Sequence, residues 1–109
     1  MTVIYLDSAA TTPMDERVLD AMLPYMTTAY GNPGTLYRLG REAASAVQLA
    51  RKQVADFLNA DQDQIIFTSG GSESNSLVFH GLKETLKQNG KTHILASAVE
   101  HDSVLRASQ

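Results

Sequence analysis

Ile65-Ile66-Phe67 is an unbroken apolar run, and Gly70-Gly71 follows two residues past its end. A run without polar alternation reads as a strand covered on both faces, the kind found in parallel or mixed sheets. The strand spans residues 64–69. The glycines end it, and small hydroxyl residues open a helix over residues 72–88. Leu77, Val78, Leu82 and Leu86 form that helix's apolar stripe, and Asn89-Gly90 stops it. A second strand is expected over residues 92–98. Asp102 or Ser103 is positioned to cap one more helix. Strand, glycine turn, helix and strand together confine the chain to the α/β class, with an incomplete sheet of only two convincing strands.

Upstream, residues 3–6 read as a short extended segment. Thr12-Pro13-Met14-Asp15 reads as a helix start, with a hydroxyl cap, a proline in the first turn and an acid three residues on. Val18, Leu19, Met22, Leu23 and Met26 share one face, and Pro24 predicts a kink or an early end. Gly31-Asn32-Pro33-Gly34 is a turn cluster. The longest helical pattern covers residues 37–58, with Ala43, Val47, Ala50, Val54 and Phe57 on one face.

The chain has 109 residues, room for one modest core. A formal net charge of -3, with scattered Lys and Arg, argues against nucleic-acid binding. No polybasic stretch or apolar run points to a membrane. The N-terminus lacks the basic and apolar regions of a signal peptide, so a cytoplasmic location is expected. With no Cys, disulfides, thiolate metal sites and thiol catalysis are excluded within these residues. The three His lie apart and show no metal-ligand spacing, so no metal site is expected.

The Gly70-Gly71 loop is where chemistry is legible. A helix N-terminus leaves unpaired N–H groups and a partial positive charge, which together stabilise an anion. Glycines let a phosphate approach closely, and the hydroxyls of Ser72 and Ser74 add donors. The loop follows a strand's C-terminal end, where open α/β sheets place ligands. It matches neither a G-x-G-x-x-G fingerprint nor a Walker loop. By residue chemistry alone, a serine-capped turn without a ligand is the better explanation. Glu73 suits the helix dipole but repels a phosphate if it points inward.

Four stretches, in order and in register, resemble the N-terminal part of the NifS/IscS-type cysteine desulfurases, class V aminotransferase relatives. They are Tyr5-Leu6-Asp7-Ser8-Ala9-Ala10-Thr11-Thr12-Pro13, Tyr30-Gly31-Asn32-Pro33-Gly34-Thr35 with Gly40-Arg41 beyond it, residues 65–75, and Ser97-Ala98-Val99-Glu100-His101. The resemblance implies a partial pyridoxal 5'-phosphate (PLP)-dependent transferase large domain of the aspartate aminotransferase-like kind. Residues 1–13 would be an arm belonging to the small domain, and residues 14–109 the start of the large domain. Gly71 and Ser72 would bind the cofactor phosphate. His101 would stack on the pyridine ring and act in catalysis by moving protons. Asn32, Ala10 and Thr11 would lie on the substrate side, although turn chemistry explains them as well. Ser72 stands in place of the family's more usual Thr and keeps the hydroxyl.

The same resemblance implies conversion of L-cysteine to L-alanine, with sulfur passed through a persulfide to a sulfur-acceptor protein for iron–sulfur clusters or tRNA thiolation. It also implies a homodimer. Selenocysteine lyases and aminotransferases are the neighbouring activities, and a non-catalytic relic or an unrelated βαβ phosphate binder are the other readings. PLP chemistry needs a lysine for the Schiff base and an acid at the pyridinium nitrogen, and desulfuration needs a thiol. None of Lys52, Lys83, Lys87 and Lys91 resembles the family's Ser-Ser-His-Lys segment, and there is no Cys. Alone, these residues are expected to be inactive.

Overall fold

A computed structural model describes residues 3–109, so the first two residues of the expected 1–13 arm lie outside the described residues. The chain divides into two units, one through Ile65 and the other from Ile66 to Gln109.

In the first unit, α1 spans Glu16–Thr27 and α2 spans Arg38–Leu58. Helix α1 begins later than Thr12-Pro13 predicts, because Asp15 takes the cap. Its carboxylate accepts from the Arg17 backbone N–H at 2.9 Å and from Arg17 Nε and Nη2 at 3.0 and 2.7 Å. These guanidinium bonds, and then the backbone one, hold the Asp15 carboxyl below its ordinary value. Pro24 sits inside α1, which ends within one turn of it. Without a proline N–H, the ladder loses a rung there. The Thr28 and Ala29 N–H groups close the end on the Pro24 carbonyl, at 2.9 and 2.7 Å.

The turn at residues 31–35 folds onto the first turn of α2. Asn32 Oδ1 accepts from the Gly34 N–H at 2.8 Å, and the Asn32 carbonyl accepts from the Thr35 N–H and hydroxyl at 3.0 and 2.8 Å. A Cβ on Gly31 would sit 2.1 Å from the Leu39 carbonyl oxygen. A Cβ on Gly40 would sit 2.0 Å from Thr35 Oγ1 and 2.4 Å from the Thr35 carbonyl oxygen. The spacing of the two glycines is therefore a packing requirement of this turn. Helix α2 ends at Asn59, in the left-handed region at φ 52°, with the Ala60 N–H returning to the Ala55 carbonyl at 2.9 Å. It packs against a 3-10 turn at Gln62–Gln64, and Arg51 Nη1 donates to the Ile65 carbonyl. The apolar stripe read along α2 is mostly open. Ala43 is buried, but Val47 and Val54 are exposed and Phe57 is 88% exposed. The most buried side chain is Ala55, at 1%, which lies off that stripe.

In the second unit, α3 spans Gly71–Gln88 and α4 spans Asp102–Ala107, and the two pack together. Helix α3 stops in a Schellman motif. The Lys91 N–H bonds the Leu86 carbonyl at 2.9 Å, the Gly90 N–H bonds the Lys87 carbonyl at 3.0 Å, and Gly90 has φ +73°. His101, not Asp102 or Ser103, caps α4.

The predicted incomplete sheet does not form: no strand occurs among the described residues. Ile65 has extended dihedrals, φ -95° and ψ 121°, but extended backbone is not a sheet without a partner. Residues 92–98 make no backbone–backbone hydrogen bond, and Leu95 is 99% exposed. An apolar run marks backbone suited to a buried sheet. The ladder itself requires neighbours that these residues do not supply.

Candidate functional site

The loop before α3 is braced from within. Thr68 Oγ1 lies 2.7 Å from Ser74 Oγ, and the two lie 3.1 and 3.2 Å from the Gly70 carbonyl, so one hydroxyl donates to the other and the other donates to the carbonyl. The Ser74 hydroxyl, read from sequence as a ligand donor, is thus committed to the loop. Glu73 Oε2 turns back to accept from the Ser69 N–H and hydroxyl, at 2.6 and 2.7 Å. The Ser69 hydroxyl chiefly, then its N–H, lowers the Glu73 pKa from its ordinary 4.5. The ambiguity over Glu73 is resolved: its charge is spent on Ser69.

What remains at the start of α3 is a set of donors. The first intrahelical bond of this end is Ser74 N–H to Gly70 carbonyl, at 3.1 Å. The N–H groups of Gly71, Ser72 and Glu73 precede the ladder and take no partner among the described residues. The Ser72 hydroxyl is also unpartnered there. A Cβ on Gly70 or Gly71 would meet nothing within 4 Å. The chain itself therefore leaves room over the two glycines. This donor set, with open space over the glycines and the Glu73 carboxylate turned aside, fits a phosphate.

Ser72 and His101 line one concavity of about 380 Å³, within the size range of small-ligand sites. Ser76 and His80 from α3, and Asp102, Ser103 and Arg106 from α4, complete its polar lining, with Asp102 Oδ2 3.5 Å from Arg106 Nη2. As lining residues, Ser76, His80, Asp102, Ser103 and Arg106 escaped the sequence reading, which took Asp102 and Ser103 only as helix caps. Ser72, Ser76 and His80 repeat every four residues, and that spacing alone places them on one helix face. No lysine lines this concavity. Lys83, Lys87 and Lys91 line a separate one beside Leu82 and Ile94.

Asn32, Ala10 and Thr11 belong to the first unit. Asn32 is engaged in its own turn. The Ala10 N–H bonds the Asp7 carbonyl at 3.0 Å, and the Thr11 carbonyl accepts from the Tyr5 hydroxyl at 2.9 Å.

Residues 4–109 match the family model described as Aminotransferase class-V. The chain belongs to that family. Its curated relatives within the family include a cysteine desulfurase IscS of Methanosarcina thermophila, 45% identical over 102 residues. A mitosomal cysteine desulfurase of Trachipleistophora hominis is 51% identical over 104 residues. Each match covers 94% of this chain but 25% and 24% of those proteins, so the chain spans about a quarter of their length. A solved NifS-like protein superposes with a TM-score of 0.85 at 33% identity, over 95% of this chain and 28% of that one. The chain therefore shares the fold of the matched part of a NifS-like protein.

Glu73 offers a test that needs no ligand. Its folded pKa is depressed, so the Ser69 contacts are intact above 4.5 and are lost as pH falls through the lower folded value. The Ser69 amide resonance should titrate with a midpoint below 4.5, and Glu73→Gln should remove that titration. A midpoint at or above 4.5 would contradict the arrangement.

Proposed function

We propose that this chain supplies the phosphate-binding and ring-covering parts of a PLP site in a cysteine desulfurase. The overall reaction takes L-cysteine and a thiol to L-alanine and a persulfide, the sulfur then passing to an acceptor protein for iron–sulfur clusters or tRNA thiolation. The names of the relatives support the activity. The observation that carries the reading is that unpartnered donors at Gly71 and Ser72 open the helix whose Ser72 shares a concavity with His101.

In this reading Gly71 and Ser72 hold the phosphate, with the Glu73 amide beside them. His101 covers the ring and moves a proton. Asn32, Ala10 and Thr11 belong to the substrate side. When bound, PLP supplies an electron sink for bond-breaking at the amino acid's α-carbon. Residues 14–109 form the start of the large domain and 1–13 an arm of the small one. The covalent lysine and the thiol come from elsewhere, because no lysine lines the concavity and the chain has no Cys; the pyridinium acid does too, because Asp102, the acid in the lining, directly follows His101. A homodimer completes the assembly. The setting in this reading is cytoplasmic. No helix among the described residues is long and apolar enough to cross a membrane.

The test is product analysis with L-cysteine and PLP. The protein as its own gene expresses it should release alanine and persulfide sulfur in equal amounts. The 109-residue chain by itself should release neither. Alanine from selenocysteine but not from cysteine, or transamination products alone, would assign a different class V activity. Turnover by the isolated chain would overturn the statement that the lysine and thiol lie elsewhere.

A further inference from the structure

The two histidines of the concavity have different hydrogen-bond partners on their inner nitrogens. His101 Nδ1 accepts from the Ser103 backbone N–H at 3.1 Å. A backbone N–H only donates, so Nδ1 carries no proton. Ser103 Oγ lies 2.8 Å from the same Nδ1, so the hydroxyl points its single hydrogen at the ring and shares that nitrogen's one lone pair with the N–H in a three-centre bond. Its oxygen is then free to accept, and Asn75 Nδ2 on α3 donates to it at 3.0 Å. The polarity of the chain is therefore fixed: Asn75 amide to Ser103 hydroxyl to His101 Nδ1. His80 Nδ1 instead lies 3.0 Å from the Ser76 carbonyl, which only accepts, so that nitrogen carries a proton.

We propose that Asn75 and Ser103 are positioning residues that hold neutral His101 as the Nε2–H tautomer. Neutral His80, across the same concavity, is held in the opposite one. His101 presents a donor at its outer nitrogen and His80 an acceptor. Asn75 and Ser103 are both half-buried between α3 and α4, so the bridge also fixes the ring's orientation relative to Ser72. This inference rests on the PLP reading for its use, since a fixed donor over the ring decides which way His101 first moves a proton. The tautomers themselves follow from hydrogen-bond polarity alone.

The experiment uses ¹⁵N-histidine-labelled protein, expressed from its own gene, and two-bond ring correlation spectra. These are recorded near pH 9, above the ordinary imidazole range of about 6.5. His101 should show an unprotonated Nδ1 and a protonated Nε2, and His80 the reverse. Ser103→Ala should move the His101 Nδ1 resonance toward that of an unbonded acceptor, Asn75→Ala should move it less in the same direction, and Ser103→Thr should restore it. With cysteine as substrate, Ser103→Ala should lower kcat about tenfold, one hydrogen bond's worth, with PLP affinity retained, and Ser103→Thr should recover it. A protonated Nδ1 on His101, or Asn75 and Ser103 variants that leave ring spectrum and kcat unchanged, overturns the inference. The tautomer pattern without PLP binding or cysteine turnover would instead sink the proposed function and leave the positioning intact.

Discussion

Gly40→Ala is expected to destabilise the first unit by about 3 kcal/mol, at the upper end for an inserted methyl group in a closed site. The new carbon would need room where Thr35 Oγ1, the Thr35 carbonyl and the Asn32 carbonyl lie 2.0, 2.4 and 2.7 Å away. Two of the three obstacles are backbone, so a rotamer change does not relieve them. The turn at residues 31–35 must lift off α2, and its Asn32–Thr35 bonds must distort. A domain has only about 5–15 kcal/mol to lose. This unit starts with little margin, since its buried residues, among those described, are Gly40, Ala43 and Ala55. Chemical denaturation should show the midpoint falling sharply. Gly34→Ala is the control, because its Cβ would meet only Asn32 Oδ1, at 3.3 Å. Equal midpoints for the two variants would mean that the turn does not sit on α2 as described.

The helices were legible because their information is local. The stripes at spacings of three and four, the Asn59 and Gly90 stops and the Gly70-Gly71 start all lie within a turn of what they control. The start of α1 was misplaced by three residues because two caps competed, and the Arg17 side chain decided for Asp15. The strands failed for a different reason. Ile65-Ile66-Phe67 reports that a backbone is fit to be buried in a sheet, but a ladder depends on residues far away in sequence or in other chains. Of the residues that line the concavity, Ser72 and His101 were singled out in the sequence through motif resemblance and the phosphate logic of a helix start. Asn75 and Ser103 were not, because a bridge between α3 and α4 becomes visible only once both helices are placed. Histidine is also outside the usual set of helix caps, so neither composition nor spacing signals that His101 binds its own helix.

Gly71 contrasts with Gly40. The chain has no steric use for the missing side chain at Gly71, since a Cβ there meets nothing within 4 Å. Gly71→Val should therefore leave the second unit's helices intact by circular dichroism. The expected loss is in cofactor capture. A branched side chain at the first position of α3 stands over the open N–H groups of Gly71 and Ser72, and holds a phosphate away from them. Losing one to two charge-assisted hydrogen bonds, at about 1.5–3 kcal/mol each, lowers PLP affinity about a hundredfold. Ser72→Ala removes only the hydroxyl and should cost about tenfold. Both are read by spectroscopic PLP titration of the protein expressed from its own gene, with inorganic phosphate as a competitor. Gly81→Ala, in mid-helix with equal open space, should leave affinity unchanged and so shows that the effect belongs to position 71. If Gly71→Val binds PLP as tightly as the parent, the phosphate does not rest on the amides that open α3. The shared concavity of Ser72 and His101 would then need another ligand.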